Sequence, residues 1–160
     1  MKEYWNTYYK WLEADALTDA EKAELRAIEG DENEVALRFS SGLSFGTAGL
    51  RGTMKTGFNA MNVYTVAHAT QGLANLIVCE GRANDGVAIA CDSRLNSQTF
   101  AETAASVLAA NGIKVYLFDS LRPTPELSFA LRELGCVAGI NITASHNPKE
   151  YNGYKAYWED

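Results

Sequence analysis

Apolar residues recur along this chain with two different periods, and the change from one to the other divides it. In residues 1–40 the period is helical. Tyr4, Tyr8, Trp11 and Leu12 fall at i, i+4, i+7 and i+8, one face of a helix. Thr18-Asp19-Ala20-Glu21 spells a capping box, with Thr18 as N-cap and Glu21 reaching back. Leu25 and Ile28 supply the apolar stripe that follows, and Gly30 is expected to end that helix. Asp31 is placed to cap a third short helix carrying Val35, Leu37 and Phe39. A further helix runs from Asn62 to about Glu80, with Val63, Val66, Ala67, Leu73, Leu76 and Ile77 as its apolar positions. After a turn at Gly81–Gly86 the pattern becomes continuous: Val87–Cys91, Ile113–Phe118 and Cys136–Thr143 read as buried strands. Between them Ser97 caps a helix to Asn111 that Gly112 closes. Thr124-Pro125 then forms an N-cap and N1 pair opening a helix to Leu134, with Gly135 after it. Buried strands alternating with helices predict an α/β fold, a three-layer α/β/α arrangement on a mostly parallel, mixed sheet. Residues 1–40 are expected to form a helical extension packed on a domain of residues 41–160.

Composition narrows the classes. The 160 residues suit one ordinary domain, and 47% hydrophobic residues suffice for a core. A net charge of -6 argues against an electrostatic grip on nucleic acid. No apolar run approaches the roughly 20 residues needed to span a bilayer, and no signal-peptide core follows Met1. Cys79, Cys91 and Cys136 are odd in number and lack metal-ligand spacing, so a reduced cytoplasm is the expected setting. Asn141-Ile142-Thr143 matches a glycosylation sequon, but inside a strand expected to be buried it is discounted.

Two stretches carry candidate chemistry. In Leu43–Thr53, Gly46, Gly49 and Gly52 alternate with small and hydroxyl residues beside Arg51. Glycine lets backbone amides approach an anion, and arginine offers a bidentate fork for phosphate. No Gly-Lys-Ser/Thr follows, so this is not a Walker loop. The second stretch, Gly139–Pro148, begins as a strand and ends in a polar turn with Ser145 at its tip. Asn147-Pro148 and Asn152-Gly153 are both turn signals, so the bend is expected to continue through Lys149 to Lys155. Asp92, Asp119 and Thr143–Ser145 all fall at the carboxyl ends of strands, the edge where open α/β sheets bind ligands. His68 has no partner at metal spacing and reads as a packing or surface residue.

A serine hydrolase fails on local geometry. There is no Gly-x-Ser-x-Gly elbow, and His146 directly follows Ser145, so in an extended loop it would point away. Phosphoryl transfer fits better, since it asks for a hydroxyl that carries phosphate and cations that neutralise it. Ser145, Arg51, Lys149 and Lys155 are the candidate parts, with Lys149 more readily read as a solvated surface lysine and Lys155 equally readable as site or surface.

Thr143-Ala144-Ser145-His146-Asn147-Pro148 followed by Tyr151-Asn152-Gly153-Tyr154-Lys155 strongly resembles the phosphoserine loop of the α-D-phosphohexomutases, the phosphoglucomutase and phosphomannomutase superfamily. Phe45-Gly46-Thr47-Ala48-Gly49-Leu50-Arg51-Gly52 resembles the same family's N-terminal motif, and the long N-terminus resembles the phosphoglucomutase/phosphopentomutase branch. The resemblance covers residues 40 to 160, the first of four family domains. It implies that Ser145 carries a phosphate, donates it to a sugar monophosphate, and recovers the other phosphate from the resulting bisphosphate. Mg2+ would be held by the phosphate on Ser145 together with aspartates elsewhere, and glucose 1,6-bisphosphate would be the activator. Lys155 would serve as acid/base or charge stabiliser, and His146 and Asn147 as loop neighbours. Arg51 would touch the phosphate and Thr47 would shape its pocket. Asp92 and Arg94 are read as a structural pair under the site from their strand-end position.

The family's metal loop, Asp-Gly-Asp-x-Asp-Arg, its sugar-specificity loop and its C-terminal phosphate loop are absent from these residues. The expectation is therefore the phosphoserine domain of a longer cytoplasmic mutase, inactive by itself. Its partners would be a phosphosugar and the enzyme's remaining domains, without nucleic acid or membrane. Glucose phosphates are the default substrates, with pentose and mannose phosphates behind. The competing expectation is a non-catalytic phosphate-binding or scaffold module of the same fold.

Overall fold

A computed structural model of the chain describes residues 2–47 and 49–159; Ala48, in the glycine-rich segment, and the terminal Met1 and Asp160 fall outside the described residues. The first forty residues form α1 (Glu3–Glu13), α2 (Asp19–Ala27) and α3 (Glu32–Phe39). The capping box forms as expected: Thr18 Oγ1 accepts from the Glu21 amide, and the Glu21 carboxylate accepts from the Thr18 amide at 2.8 Å. Asp31 accepts from the amides of Asn33 and Glu34 to start α3. Gly30 does not end α2. The helix stops at Ala27, and Ile28 closes it in a right-handed conformation. Tyr8, Leu25, Val35 and Phe39 are buried together, with Trp11 edge-on to both Phe39 and Tyr64.

In α3 the inward pair is Val35 and Phe39, so Leu37 turns out to solvent at 60% exposure while Arg38 is buried. Arg38 is tolerated inside because its charge is paired: it donates to Glu24, to Glu34 at 2.8 Å and to the Thr56 carbonyl at 3.0 Å. Lys55 joins Glu34 at 2.7 Å, so one ionic cluster ties the helices to the segment after the first strand. The Tyr64 hydroxyl donates to the Ala16 carbonyl and to Glu21, and burial, reinforced by Glu21, pushes its phenol up to about 12. Lys55 and Arg38 hold the Glu34 carboxyl below its ordinary 4.5, against the opposing effect of burial. A depressed carboxylate contributes stability above its unfolded pKa and loses it as pH falls through the folded value. Thermal melts followed into acid should therefore fall below pH 4.5, and Glu34→Gln should flatten that fall while lowering stability at neutral pH. An identical acid profile in the variant would remove Glu34 from the cause.

Five strands form one sheet: β1 (Leu50–Thr53), β2 (Val87–Cys91), β3 (Val115–Leu117), β4 (Ala138–Ile142) and β5 (Tyr151–Trp158), in the order β1-β5-β4-β2-β3. β4, β2 and β3 are parallel; β5 lies antiparallel between β4 and β1. The helices α4 (Val63–Cys79) and α5 (Ser97–Ala110) cover one face over Val87, Ile89, Ile140, Ile142 and Tyr154. On the other face α6 (Thr124–Leu134) packs Leu127 and Leu131 on Ala88 and Ala90. The expected three-layer α/β/α fold on a mixed sheet is the fold observed.

Four local readings need correction. Asn152-Gly153 is not a turn but the middle of β5, which together with β1 forms an antiparallel ribbon that the apolar pattern did not announce. The buried stripe of α4 is Val66, Thr70, Ala74 and Ile77, with Leu76 exposed; Thr70 fits inside because its hydroxyl donates to the Val66 carbonyl and to the Tyr154 hydroxyl. Ser97 is the first residue of α5 rather than its cap; Asn96, at φ 62, takes that position without a side-chain bond. Likewise α6 begins at Thr124, with Pro123 before it as the cap, because the Thr124 hydroxyl accepts from Asn141 Nδ2 at 2.6 Å. That places Asn141, with its sequon, inside the buried strand. No described helix is long and apolar enough to cross a membrane.

Candidate active site

The chain leaves β4 at Ile142 and bends at once. Thr143 Oγ1 accepts from the Ser145 amide at 3.0 Å and donates to Asp92 Oδ2 at 2.5 Å. Asp92, the first residue after β2, also accepts through Oδ1 from the Arg94 amide and the Ser97 hydroxyl, each at 3.0 Å. Ser97 in turn accepts from Asn152 Nδ2 at 3.0 Å, so the buried polar ends of β2, β4, α5 and β5 are locked into one network. On that base Ser145 stands exposed at φ 58, a left-handed conformation that costs a non-glycine residue roughly 1–2 kcal/mol. The loop is thus the tight turn expected at the end of β4, and the extended geometry assumed in placing His146 does not hold. His146 is exposed beside it and makes no hydrogen bond to Ser145 among the described residues. Asp92 joins the serine loop as expected, but Asp119 does not: its side chain is 91% exposed beside Ser120 and Arg122.

Arg51 reaches this loop from the edge ribbon. β1 pairs with β5 so that Arg51 faces Gly153, and its Nη1 donates to Asn147 Oδ1 at 3.2 Å across 96 residues of sequence. The approach depends on two glycines. A Cβ at Gly153 would stand 2.7 Å from the Thr143 carbonyl oxygen and 2.8 Å from that of Leu50. A Cβ at Gly49, at φ 114, would stand 2.1 Å from the Tyr154 carbonyl oxygen. Thr47 lines a depression of about 360 Å³ with Ser44, Gly46, Gly49 and Arg51. Ser145, Asn147 and Lys149 line a neighbouring one of about 400 Å³ with Asp92–Leu95. The Arg51–Asn147 bond joins the two. Lys155, opposite Asn141 in the sheet, lies in neither depression; by strand alternation it shares the face of Arg51 and Gly153. It has no hydrogen-bond or ion-pair partner among the described residues. Tyr154, on the opposite face, is fully buried, and burial pushes its phenol up to about 12 despite the Thr70 hydroxyl, so it is a neutral pillar under the ribbon. His68 is exposed at the rim of an apolar groove of about 440 Å³ along α4, remote in kind from these polar depressions.

The residue whose part was underestimated is Arg94. Its guanidinium donates to the carbonyls of Ser145, Asn147, Pro148 and Tyr151 at 2.7–3.1 Å. The sequence signal was present, an Asp-x-Arg directly after a buried strand, but a guanidinium's partners are carbonyls that no side-chain pattern reveals.

Fold and geometry together define a three-layer α/β/α domain that presents a serine hydroxyl in a left-handed turn beyond the central strands, with an arginine delivered from an antiparallel edge ribbon. The family model described as phosphoglucomutase/phosphomannomutase, alpha/beta/alpha domain I, matches residues 42–160, and the chain belongs to that family. The phosphopentomutase of Homo sapiens is 40% identical over 162 residues, covering 94% of this chain and 26% of its own length. A phosphoglucomutase of Staphylococcus epidermidis is 49% identical over 118 residues, covering 74% of this chain and 21% of its own. Among solved structures, a Thermus thermophilus protein classed with the phosphomannomutases superposes with a TM-score of 0.67 at 32% identity, over 74% of this chain and 26% of that one. The chain thus spans about a quarter or less of the length of these relatives.

Proposed function

We propose that this chain is the phosphoserine domain of a phosphosugar mutase, with glucose 1-phosphate and glucose 6-phosphate as the interconverted pair. The observation that carries the reading is the exposed hydroxyl of Ser145, held at φ 58 by the Thr143–Asp92 network beside the Arg51–Asn147 bridge. In the proposed step a sugar hydroxyl oxygen forms a bond to the phosphorus on Ser145 and the P–Oγ bond breaks. The sugar's proton passes to a base, and Oγ recovers one to become the hydroxyl again. The second half reverses this with the other phosphate of the bisphosphate. Arg51 neutralises phosphate charge, with Thr47 shaping the adjoining depression. Asn147 orients Arg51, and His146 borders the substrate side of the loop. Lys155, on the same sheet face as Arg51 and without a partner among the described residues, is the proposed proton carrier or charge stabiliser. Glucose 1,6-bisphosphate is the proposed activator, since it would restore phosphate to a bare Ser145.

Mg2+ would supply charge neutralisation at the transferring phosphate. This chain's residues do not build a site for it: among the described residues no three His, Cys, Asp or Glu side chains gather to hold a metal. Asp92, the acidic residue nearest Ser145 along the network, already serves Thr143, Ser97 and Arg94. Only the phosphate oxygens on Ser145 would be this chain's contribution, so the remaining domains of a longer cytoplasmic enzyme are the proposed partners. The three free cysteines Cys79, Cys91 and Cys136 accord with a reducing compartment.

A second reading of the substrate has its own support. A relative that covers 94% of the chain, the N-terminal helices included, is a phosphopentomutase, which favours a pentose 1-phosphate. Coupled assays of the complete polypeptide on glucose 1-phosphate and ribose 1-phosphate decide between them by the ratio of kcat/KM. The 160-residue chain alone is expected to show no turnover on either sugar with Mg2+ present. Measurable interconversion by the pure chain would contradict the division of labour proposed here.

A further inference from the structure

Arg94 makes four hydrogen bonds to one loop. Nη2 donates to the carbonyls of Ser145 and Asn147 at 2.7 Å each, and Nη1 to those of Pro148 at 3.0 Å and Tyr151 at 3.1 Å. Nε faces Asp92 Oδ2 at 3.6 Å, and the side chain is only 14% exposed. Every acceptor but the carboxylate is a main-chain carbonyl between residues 145 and 151. With four of the loop's carbonyls bound to one cation, several of its amides stay free. The amides of His146, Lys149 and Glu150 donate to no acceptor among the described residues, and all three residues are exposed. Free amides on one rim of a turn make a cradle for an anion.

We propose that Arg94 is the positioning residue of the Ser145 loop: its planar fork fixes four carbonyls so that Ser145 keeps its left-handed turn and the amides of His146, Lys149 and Glu150 face the phosphate it carries. This rests on the phosphoserine reading for its ligand, though not for its geometry. Both backbone groups of Ser145 are held, the N–H by Thr143 Oγ1 and the C=O by Arg94, which is what keeps a non-glycine residue at positive φ. Lysine would not substitute. Its three donors radiate from one nitrogen and cannot satisfy four carbonyls at once.

The test compares the 160-residue chain with Arg94→Ala and Arg94→Lys by amide hydrogen exchange and nitrogen-15 spectra. Asn147 and Tyr151 donate their amides within the loop, to the Ala144 and Pro148 carbonyls, and these two with Ser145 report its order. Both variants are expected to exchange those three amides at least about tenfold faster while Ile140 in the buried strand keeps its protection. Millimolar guanidinium, but not ammonium, should restore protection in Arg94→Ala. Unchanged exchange in the loop overturns the proposal, as does an equal loss at Ile140 in both variants, which would make Arg94 a general stabiliser. If Arg94→Ala does not fold, Arg94→Lys carries the same comparison. Inorganic phosphate added to the parent chain should shift the amides of His146, Lys149 and Glu150, and Arg94→Lys should lose that response. No shift in the parent with normal loop protection would refute the phosphate reading and leave the clamp standing, so the two failures are distinguishable.

Discussion

Replacing Gly153 with alanine should destabilise the chain by about 3 kcal/mol, the upper range for forcing extra atoms into a packed interior. The added Cβ would meet the carbonyl oxygens of Thr143 and Leu50 at 2.7 and 2.8 Å, and backbone on both neighbouring strands cannot rotate away as a side chain would. Relief requires β1 to move off β5, and Arg51, facing Gly153, moves with it. Two readouts should therefore change together. The denaturant midpoint falls, and in the folded remainder the Arg51–Asn147 contact is lost, visible as a shifted Asn147 side-chain amide. A variant that loses stability but keeps that contact would mean that the ribbon yields elsewhere, and that Gly153 is not what seats Arg51.

Removing the Ser145 hydroxyl should do the opposite: no loss of stability and no activity. In Ser145→Gly the residue at φ 58 becomes one that adopts it freely, so the variant should stay within about 1 kcal/mol of the parent. In the longer mutase proposed here the same change would remove the phosphate carrier, and turnover should fall by roughly four orders of magnitude or more. Ser145→Ala should be equally inactive and slightly less stable, because it keeps the left-handed strain. Activity surviving in both variants would move the phosphate carrier away from this loop.

Much of this was legible from the residues, and what was not has identifiable causes. Helices with capping side chains and strands with unbroken apolar runs were readable because their signals are local: Thr18 with Glu21, Asp31 before α3, Val87–Cys91. The β1–β5 ribbon was not. Asn152-Gly153 carries the composition of a turn, yet Asn152 is there to bond Ser97 and the Leu95 carbonyl, and Gly153 to let two strands close. Both reasons are contacts with chain far away in sequence. The same holds at Ser97 and Thr124, where a hydroxyl suited to capping is spent on Asp92 or Asn141 instead. At the site, Ser145 and Arg51 stood out by residue type and motif. Their connection through Asn147 and the clamp by Arg94 are geometric facts about side-chain and carbonyl positions, invisible to spacing alone.

The most direct measurement is made on the natural product, recovered from its source cells by an antibody against this domain. Intact mass gives the length of the polypeptide, and peptides spanning Ser145 give its modification. The account predicts a chain several times longer than 17.5 kDa with phosphate on Ser145, lost when a sugar monophosphate is added and regained from a sugar bisphosphate. A native 17.5 kDa chain whose Ser145 stays bare under both treatments would contradict it, and would point instead to a module that keeps the fold without the phosphoryl transfer.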